Sequence, residues 1–418
     1  MVQSDSFPVL PVEISKYWVE DRLLLVAPKV PAWLVVDVDT FNLLDQLRAS
    51  QRGCGAEIPA DRQALRRLRD LVFRHNFIER AEPAEKYIRV QAHLTNRCNL
   101  RCPHCYVSSG LAEPNELDKD AWFDVCRFFR GLDAPIHFSV SGGEPTLVKW
   151  LPDLMRYAKM DCGFQTAVLT NGLLLSDEKI KQLAGVVDSF AVSLDGASAE
   201  THDAMRGRGT FAKTVNALHA LLRTDARVGL NICVRRSNAQ DLMTNLGALL
   251  STFDRTVDVD LASVIPEGRA LEFSGETLPP DEVQANISTI SKQLLRDGWA
   301  PTRASLRENC GFGTSFVIYA NGDVSPCITR RFRRGNIRRD GVEGVFADLT
   351  RLSEKMKVQN LPECKSCGLN TLCGGKCHLP QVRAGAADFQ NECSEGFKEQ
   401  FRRGLTRRFD IVERQFHA

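Results

Sequence analysis

No apolar run in this chain of 418 residues reaches the roughly 18 that a membrane-crossing helix needs. That shortage argues against a transmembrane span. An apolar signal-peptide core is also missing after Met1-Val-Gln-Ser-Asp5, so a cytoplasmic protein with no membrane partner is expected. Charge of one sign is scarce: 54 Lys and Arg against 52 Asp and Glu leave a formal net charge of +2. The whole chain therefore makes no case for a nucleic-acid partner. Hydrophobic residues at 43% and charged residues at 25% are ordinary for a globular protein, and the length suffices for two or three domains. Disulfides have little place in a reducing compartment, so 14 cysteines point instead to metal or catalysis.

A fourth cysteine is missing where three stand close together. Cys98, Cys102 and Cys105 lie in the run Leu94-Thr-Asn-Arg-Cys-Asn-Leu-Arg-Cys-Pro-His-Cys-Tyr106, spaced C-x3-C-x2-C. Three thiolates hold three irons of a [4Fe–4S] cube and leave the fourth iron open to a substrate or cofactor. A structural zinc site asks for four ligands. The run directly follows an alternating apolar segment, Tyr87–Thr95, that reads as a strand.

Three regions emerge along the chain. Residues 1–85 read as short strands at Val12–Lys16, Leu23–Val26 and Trp33–Val36, then amphipathic helices near Thr40–Arg48 and Arg62–His75. The charged segment Glu79–Glu85 reads as a linker. Residues 86–304 alternate strand and helix. The strands fall at Tyr87–Thr95, Ile136–Ser141, Thr166–Thr170, Phe190–Leu194, Val228–Val234 and Val257–Ile265. The helices fall at Ala121–Gly131, Leu151–Ala158, Asp177–Ala184, Phe211–Arg223, Gln240–Phe253 and Asp281–Arg296. Six such units predict an α/β fold with a parallel sheet, whose active groups sit at the carboxyl ends of the strands. Pattern alone does not separate a closed barrel from an open one. Residues 305–396 are cysteine-rich and poor in long periodic elements. Residues 397–418 return to a helical pattern, with Phe401, Leu405, Phe409 and Phe416 on one face and basic residues on a solvated one.

These segments resemble the radical S-adenosylmethionine (SAM) enzymes. In that family the open iron chelates SAM, and one electron cleaves it to methionine and a 5′-deoxyadenosyl radical. The resemblance implies a partial (β/α)6 TIM-like barrel over residues 86–304, with the cluster on Cys98, Cys102 and Cys105. It assigns the methionine amino group to the turn Ser141-Gly142-Gly143-Glu144-Pro145. There, two glycines let backbone approach a ligand, and a carboxylate accepts from an amine. Thr170-Asn171-Gly172 and Ser193-Leu-Asp195-Gly196 end the next two strands. The family pattern gives Ser193 to the ribose and Arg206 to the SAM carboxylate. Asn171 and Asp195 are counted among the cofactor-binding residues, Asp195 by shaping its turn rather than by chemistry, and His202 is read as a structural hydrogen bond in its loop rather than a proton relay. Pro266-Glu-Gly-Arg269 resembles the turn that packs near the adenine.

The carboxyl third reads Cys310-x11-Gly322-x4-Cys327, then Cys364-x2-Cys367-x5-Cys373-x3-Cys377, then Cys393. This set resembles the SPASM domain, an auxiliary-cluster module of peptide-modifying members; zinc knuckles are the competing reading. The resemblance implies a distal cluster on Cys364, Cys367, Cys373 and Cys393 and a nearer one on Cys310, Cys327 and Cys377. The fourth ligand of the nearer cluster is left open. In the sulfatase-maturating relatives an aspartate follows the G-x4-C cysteine. Ile328 stands there in this chain, which argues against formylglycine formation. Cys54, Cys126, Cys162 and Cys233 fall outside ligand spacings and read as core or surface residues.

The strand-then-helix order of residues 1–85 suggests a winged helix, with Trp18, Trp33, Val35, Val36, Phe41 and Leu44 as its core. Glu13, Glu20, Asp21, Asp37 and Asp39 offset Arg22 and Lys29, so it shows no basic recognition face. It resembles the PqqD-like recognition element, which binds the leader of a ribosomally made precursor peptide as an added strand. The resemblance thus implies a peptide maturase that installs a thioether, carbon–carbon or ether crosslink. An auxiliary cluster would take up the leftover electron, and a flavodoxin or ferredoxin would supply the first. The alternatives are an epimerase, an excision enzyme or a Cys/Ser-oxidising maturase. Cys233 and Cys126 are then the hydrogen-donor candidates. A zinc-bearing winged-helix nucleic-acid binder is the non-enzymatic rival.

Overall fold

The computed structural model describes residues 7–30, 32–54, 61–79, 87–253, 257–297, 314–327, 332–375 and 393–417. The chain divides into two compact units. One gathers Lys86–Pro301 and Phe312–Arg351; the other combines Met1–Glu85 with Leu352–Ala418. The expected front segment and tail helix fall in the same unit, and the expected cysteine-rich segment is divided between the two. The front and carboxyl-terminal segments share a single core.

The barrel unit is built on strands β4 (Ile88–Thr95), β5 (Ile136–Gly142), β6 (Gln165–Thr170), β7 (Ser189–Ser193), β8 (Arg227–Val234) and β9 (Asp258–Ser263). They pair in parallel, each with the next. Two strands absent from the sequence reading complete the sheet: β10 (Ser315–Ile318) pairs in parallel with β4, and β11 (Val324–Ser325) antiparallel with β10. Because β10 occupies the outer edge of β4, the barrel stays open, and β9 forms the far edge. The strands alternate buried and half-buried residues. In β8, Val228, Leu230, Ile232 and Val234 are buried between Gly229, Asn231 and Cys233. A parallel sheet covered on both faces reads as a continuous apolar run, so this alternation marks a hollow inner face. The buried set packs against the helices α3 (Lys119–Arg130), α4 (Leu151–Arg156), α5 (Asp177–Leu183), α7 (Thr210–Leu222) and α8 (Ala239–Leu250) in one core. The short helix α6 (Ala199–Arg206) was not expected; Ser198 caps it by accepting from Thr201.

In the other unit, β1 (Ser15–Val19), β2 (Arg22–Ala27) and β3 (Ala32–Val36) form an antiparallel sheet in that order. The first strand lies three residues later than expected, after Pro11. Leu23–Ala27, in the central strand of this sheet, are all buried. Leu44 and Leu47 of α1 (Val38–Gln51), Leu68 and Val72 of α2 (Arg62–Arg74), and Leu369, Leu372, Leu405 and Phe409 share this core. Trp18 corrects an expectation: it points outward on β1 and is 61% exposed, because Tyr17 and Val19 take the inward positions. The helix Glu395–His417 lies on this sheet rather than apart. Arg22 grips Asp410 in a bidentate pair at 2.6 and 2.8 Å, and Phe409 stacks on His75 at 4.2 Å. Phe401, Leu405 and Phe409 line its packed face as predicted; the Phe416 side chain lies outside the described residues.

Candidate functional site

The loop after β4 carries the three clustered cysteines, and backbone bonds close it on itself. Cys98 N–H donates to Gly110 at 3.0 Å, and Gly110 N–H to Asn96 at 2.9 Å. Glu116 braces the start of the loop, accepting from Thr95 Oγ1 and from Asn96 N–H, both at 2.8 Å. Two backbone N–H groups point at sulfur: Leu100 at Cys98 Sγ and Ser109 at Cys105 Sγ, each at 3.4 Å. Burial pushes the Cys98 thiol up to about 11, and nearby Glu144, Cys102 and Cys105 add to this. Burial raises Cys102 as well, partly offset by Arg206 and Arg269. Three thiols on one loop, two of them with N–H donors aimed at sulfur, suit an iron–sulfur cube, whose formation would release their protons.

The turn after β5 seats against this loop. Gly143 N–H donates to Thr95 at 2.7 Å, and Glu144 N–H to Arg97 at 2.8 Å. A Cβ on Gly143 would meet Arg97 O at 2.1 Å. The close approach that demands glycine here is to the neighbouring loop of the chain itself. Glu144 is 1% exposed, and its carboxylate is already engaged. Oε1 accepts from Thr146 Oγ1 at 2.5 Å and Thr170 Oγ1 at 2.7 Å; Oε2 accepts from Asn171 N–H at 2.9 Å. Oε2 keeps capacity for one more donor. Pro145 is buried at the start of the next turn, and Ser141 stays half-buried at the strand end. Asn171 is spent on the scaffold, its amide donating to Asn99 Oδ1 at 2.9 Å.

Asp195 is the hub of the β7 end. It is fully buried, and Arg206 Nε donates to its Oδ2 at 2.7 Å. His104 Nε2 stands 3.2 Å from the same oxygen, and Cys233 N–H donates to Oδ1 at 3.0 Å. Burial raises the carboxyl's pKa, but Arg206 and His104 overcome it and hold it well below the usual carboxylate range. The expected turn-shaping role is therefore joined by an electrostatic one. Asn238 ties β7 to β8, donating to the backbone carbonyls of Asp195 at 2.6 Å and Cys233 at 2.8 Å. Ser193 lies half-buried at the strand end. His202 is a structural residue, as expected: its Nδ1 accepts from Asp195 N–H at 3.2 Å, and burial lowers its pKa to about 4. Cys126 is fully buried in the helix core, which removes it as a hydrogen donor. Cys233 lies beside Asp195, its thiol pushed up to about 12 by burial. His104 was missed; a histidine between two ligand cysteines was its only signal.

The second cysteine set divides between the two units. Cys364, Cys367, Cys373 and Cys393 together line one small pocket beside Leu369, Phe397 and Phe401. Four thiols around one cavity fit the expected distal cluster. Cys327 belongs to the barrel unit, just past β11. Cys310, Cys377 and Ile328 lie outside the described residues.

The model of the radical SAM superfamily matches residues 93–244, and that of an iron–sulfur cluster-binding domain, SPASM, matches residues 310–368. A mycofactocin maturase, MftC, from Mycolicibacterium smegmatis is 30% identical over 73% of this chain and 82% of its own. The Fe-coproporphyrin III synthase of Methanosarcina barkeri is 34% identical over 62% of this chain and 64% of its own. The crystal structure of Streptococcus suis SuiB bound to S-adenosylmethionine has the same fold. Its TM-score is 0.55 at 15% identity, over 92% of this chain and 99% of that one. SuiB has also been solved with its precursor peptide SuiA. The chain belongs to the radical SAM superfamily, as an enzyme that uses S-adenosylmethionine, a [4Fe–4S] cluster and auxiliary iron–sulfur clusters of the SPASM kind.

Proposed function

We propose that this enzyme matures a ribosomally made peptide, installing a thioether, carbon–carbon or ether crosslink in the cytoplasm. A flavodoxin or ferredoxin serves as its electron donor. Residues 1–85 act as a PqqD-like element that takes the leader of the precursor as an added strand. The observation that carries this reading is the three-stranded sheet. Among the described residues β1 and β3 pair only with β2, which leaves outer strand edges for a peptide. The name of MftC and the SuiB–SuiA complex support a maturase.

Bound together, cluster and SAM would supply radical chemistry able to activate an unreactive C–H bond. The residues of the chain prepare that event. Cys98, Cys102 and Cys105 would hold the cube at the β4 end. Glu144 Oε2 offers one more acceptor site for the methionine amine. Asp195 holds Arg206 through Nε, so that the guanidinium's outer nitrogens could serve the SAM carboxylate. A leader held elsewhere contributes binding energy that positions a weakly held core peptide.

The test is anaerobic co-expression with a candidate precursor, followed by mass spectrometry. Loss of two hydrogens per event, abolished by Cys98→Ala, is expected. Unchanged mass with deuterium uptake from heavy water would instead indicate epimerisation. The likeness to Fe-coproporphyrin III synthase motivates a second arm. Tetrapyrrole turnover by the full-length chain, with an unchanged peptide, would overturn the proposal.

A further inference from the structure

The segment after β9 makes contacts that a turn packed near a nucleoside does not need. Gly268 opens a short 3₁₀ turn, Gly268–Glu272, with φ at +60°. A Cβ there would meet Tyr106 O at 2.4 Å and Cys105 O at 2.8 Å, both backbone atoms of the cluster loop. Any side chain is therefore excluded twice, by conformation and by contact.

Arg269 then grips the same loop at three carbonyls. Its N–H donates to Cys105 O at 3.1 Å. Its Nε donates to Cys102 O at 3.1 Å, and its Nη1 to Ser109 O at 2.6 Å. Two of these carbonyls belong to expected cluster ligands, and the third belongs to Ser109, whose N–H points at Cys105 Sγ. The geometry has a simple cause. A loop that turns N–H groups inward toward sulfur presents carbonyls outward, and these need donors. A planar guanidinium supplies several donors in a fixed fork; an ammonium does not. Among the described residues no carboxylate pairs with Arg269, so its charge is left to act on the loop.

We propose that Gly268 and Arg269 form a latch: the end of the sixth barrel strand holds the cluster loop of the first in the shape that receives the cube. Arg269 is a positioning residue that acts through backbone. Its positive charge also favours the more anionic, reduced state of the cluster.

The experiment uses the full-length chain as Arg269→Gln, Arg269→Lys and Gly268→Ala, with Arg223→Gln as an exposed control. Hydrogen exchange is read first on protein without cluster. In Arg269→Gln the amides of residues 98–110 should exchange at least about tenfold faster while the rest of the chain is unchanged. After reconstitution, the EPR signal that responds to added SAM is followed during challenge with bathophenanthroline. Its loss should be about tenfold faster for Arg269→Gln and Gly268→Ala, and intermediate for Arg269→Lys, which keeps charge but not the fork. The midpoint potential of that signal should move negative in Arg269→Gln and stay near the parent in Arg269→Lys. Loop exchange and signal loss within twofold of the parent in all three variants would overturn the latch. So would faster exchange spread evenly over the chain. An unmoved potential in Arg269→Gln would overturn the role of the charge.

Discussion

Asp195 concentrates the electrostatics of the barrel in one side chain. A buried carboxylate persists only when its charge is matched, and Arg206, His104 and the Cys233 N–H match it from three elements. Asp195→Ala leaves the Arg206 guanidinium buried without its partner. A loss of about 3–5 kcal/mol is expected, read as a lower urea midpoint. His202 gives the residue scale its pH dependence. Its folded pKa of about 4 lies below the ordinary value near 6.5, because the ring is buried and its Nδ1 must stay an acceptor. The unfolded chain therefore binds the proton more readily between these values. Stability is intact above pH 6.5 and falls as pH drops toward 4. From pH 7 to pH 5 the loss is about 2 kcal/mol, and His202→Gln should abolish that component in urea titrations at the two pH values.

At the scale of elements, the site is a set of strand ends laced to one another. The turn after β5 meets the loop after β4 through Gly143 and Glu144, and the β6 end hangs from Glu144 through Thr170 and Asn171. Gly143→Ala forces its Cβ against Arg97 O and must part the two loops. The expected result is loss of the SAM-responsive cluster signal with the overall fold retained, read by EPR beside far-UV circular dichroism. Retained signal would show that the loops can separate without harm. The β10 strand adds a different lesson. Four residues, Ser315–Ile318, are too short to announce themselves, yet on the edge of β4 they decide that the barrel stays open.

Over the whole molecule, the front sheet and the distal cysteine cavity are one construction. Leu369 and Leu372 stand between Cys367 and Cys373 in sequence and pack into the same core as β2 and β3. Deleting residues 1–85 is therefore expected to do more than abolish leader binding. It exposes Leu369, Leu372, Leu405 and Phe409, and the distal cluster's iron should be lost, as elemental analysis of the reconstituted protein would register. Phe409→Ala probes the same core more gently. Removing a buried ring that stacks on His75 should cost about 3–5 kcal/mol, seen as a lower melting temperature.

The sequence by itself determined the chemistry and the alternation of elements. Cysteine spacing is a local property, so the first cluster loop was legible in order, whereas the grouping of Cys364, Cys367, Cys373 and Cys393 around one pocket came from the family resemblance. Period-two and period-3.6 patterns likewise placed the six barrel strands to within one or two residues. Only the tertiary structure decided what each polar group touches. The carboxylate of Glu144 is turned inward onto Thr170 and Asn171, Asp195 reaches His104 and Cys233, and Arg269 crosses 167 residues to the carbonyl of Cys102. Trp18 faces out for a similar reason, since a strand's alternation says that one face is covered but not which. Hydrogen bonds between strand ends depend on which strands become neighbours, and that is settled by packing across the whole sheet rather than by any local run of residues.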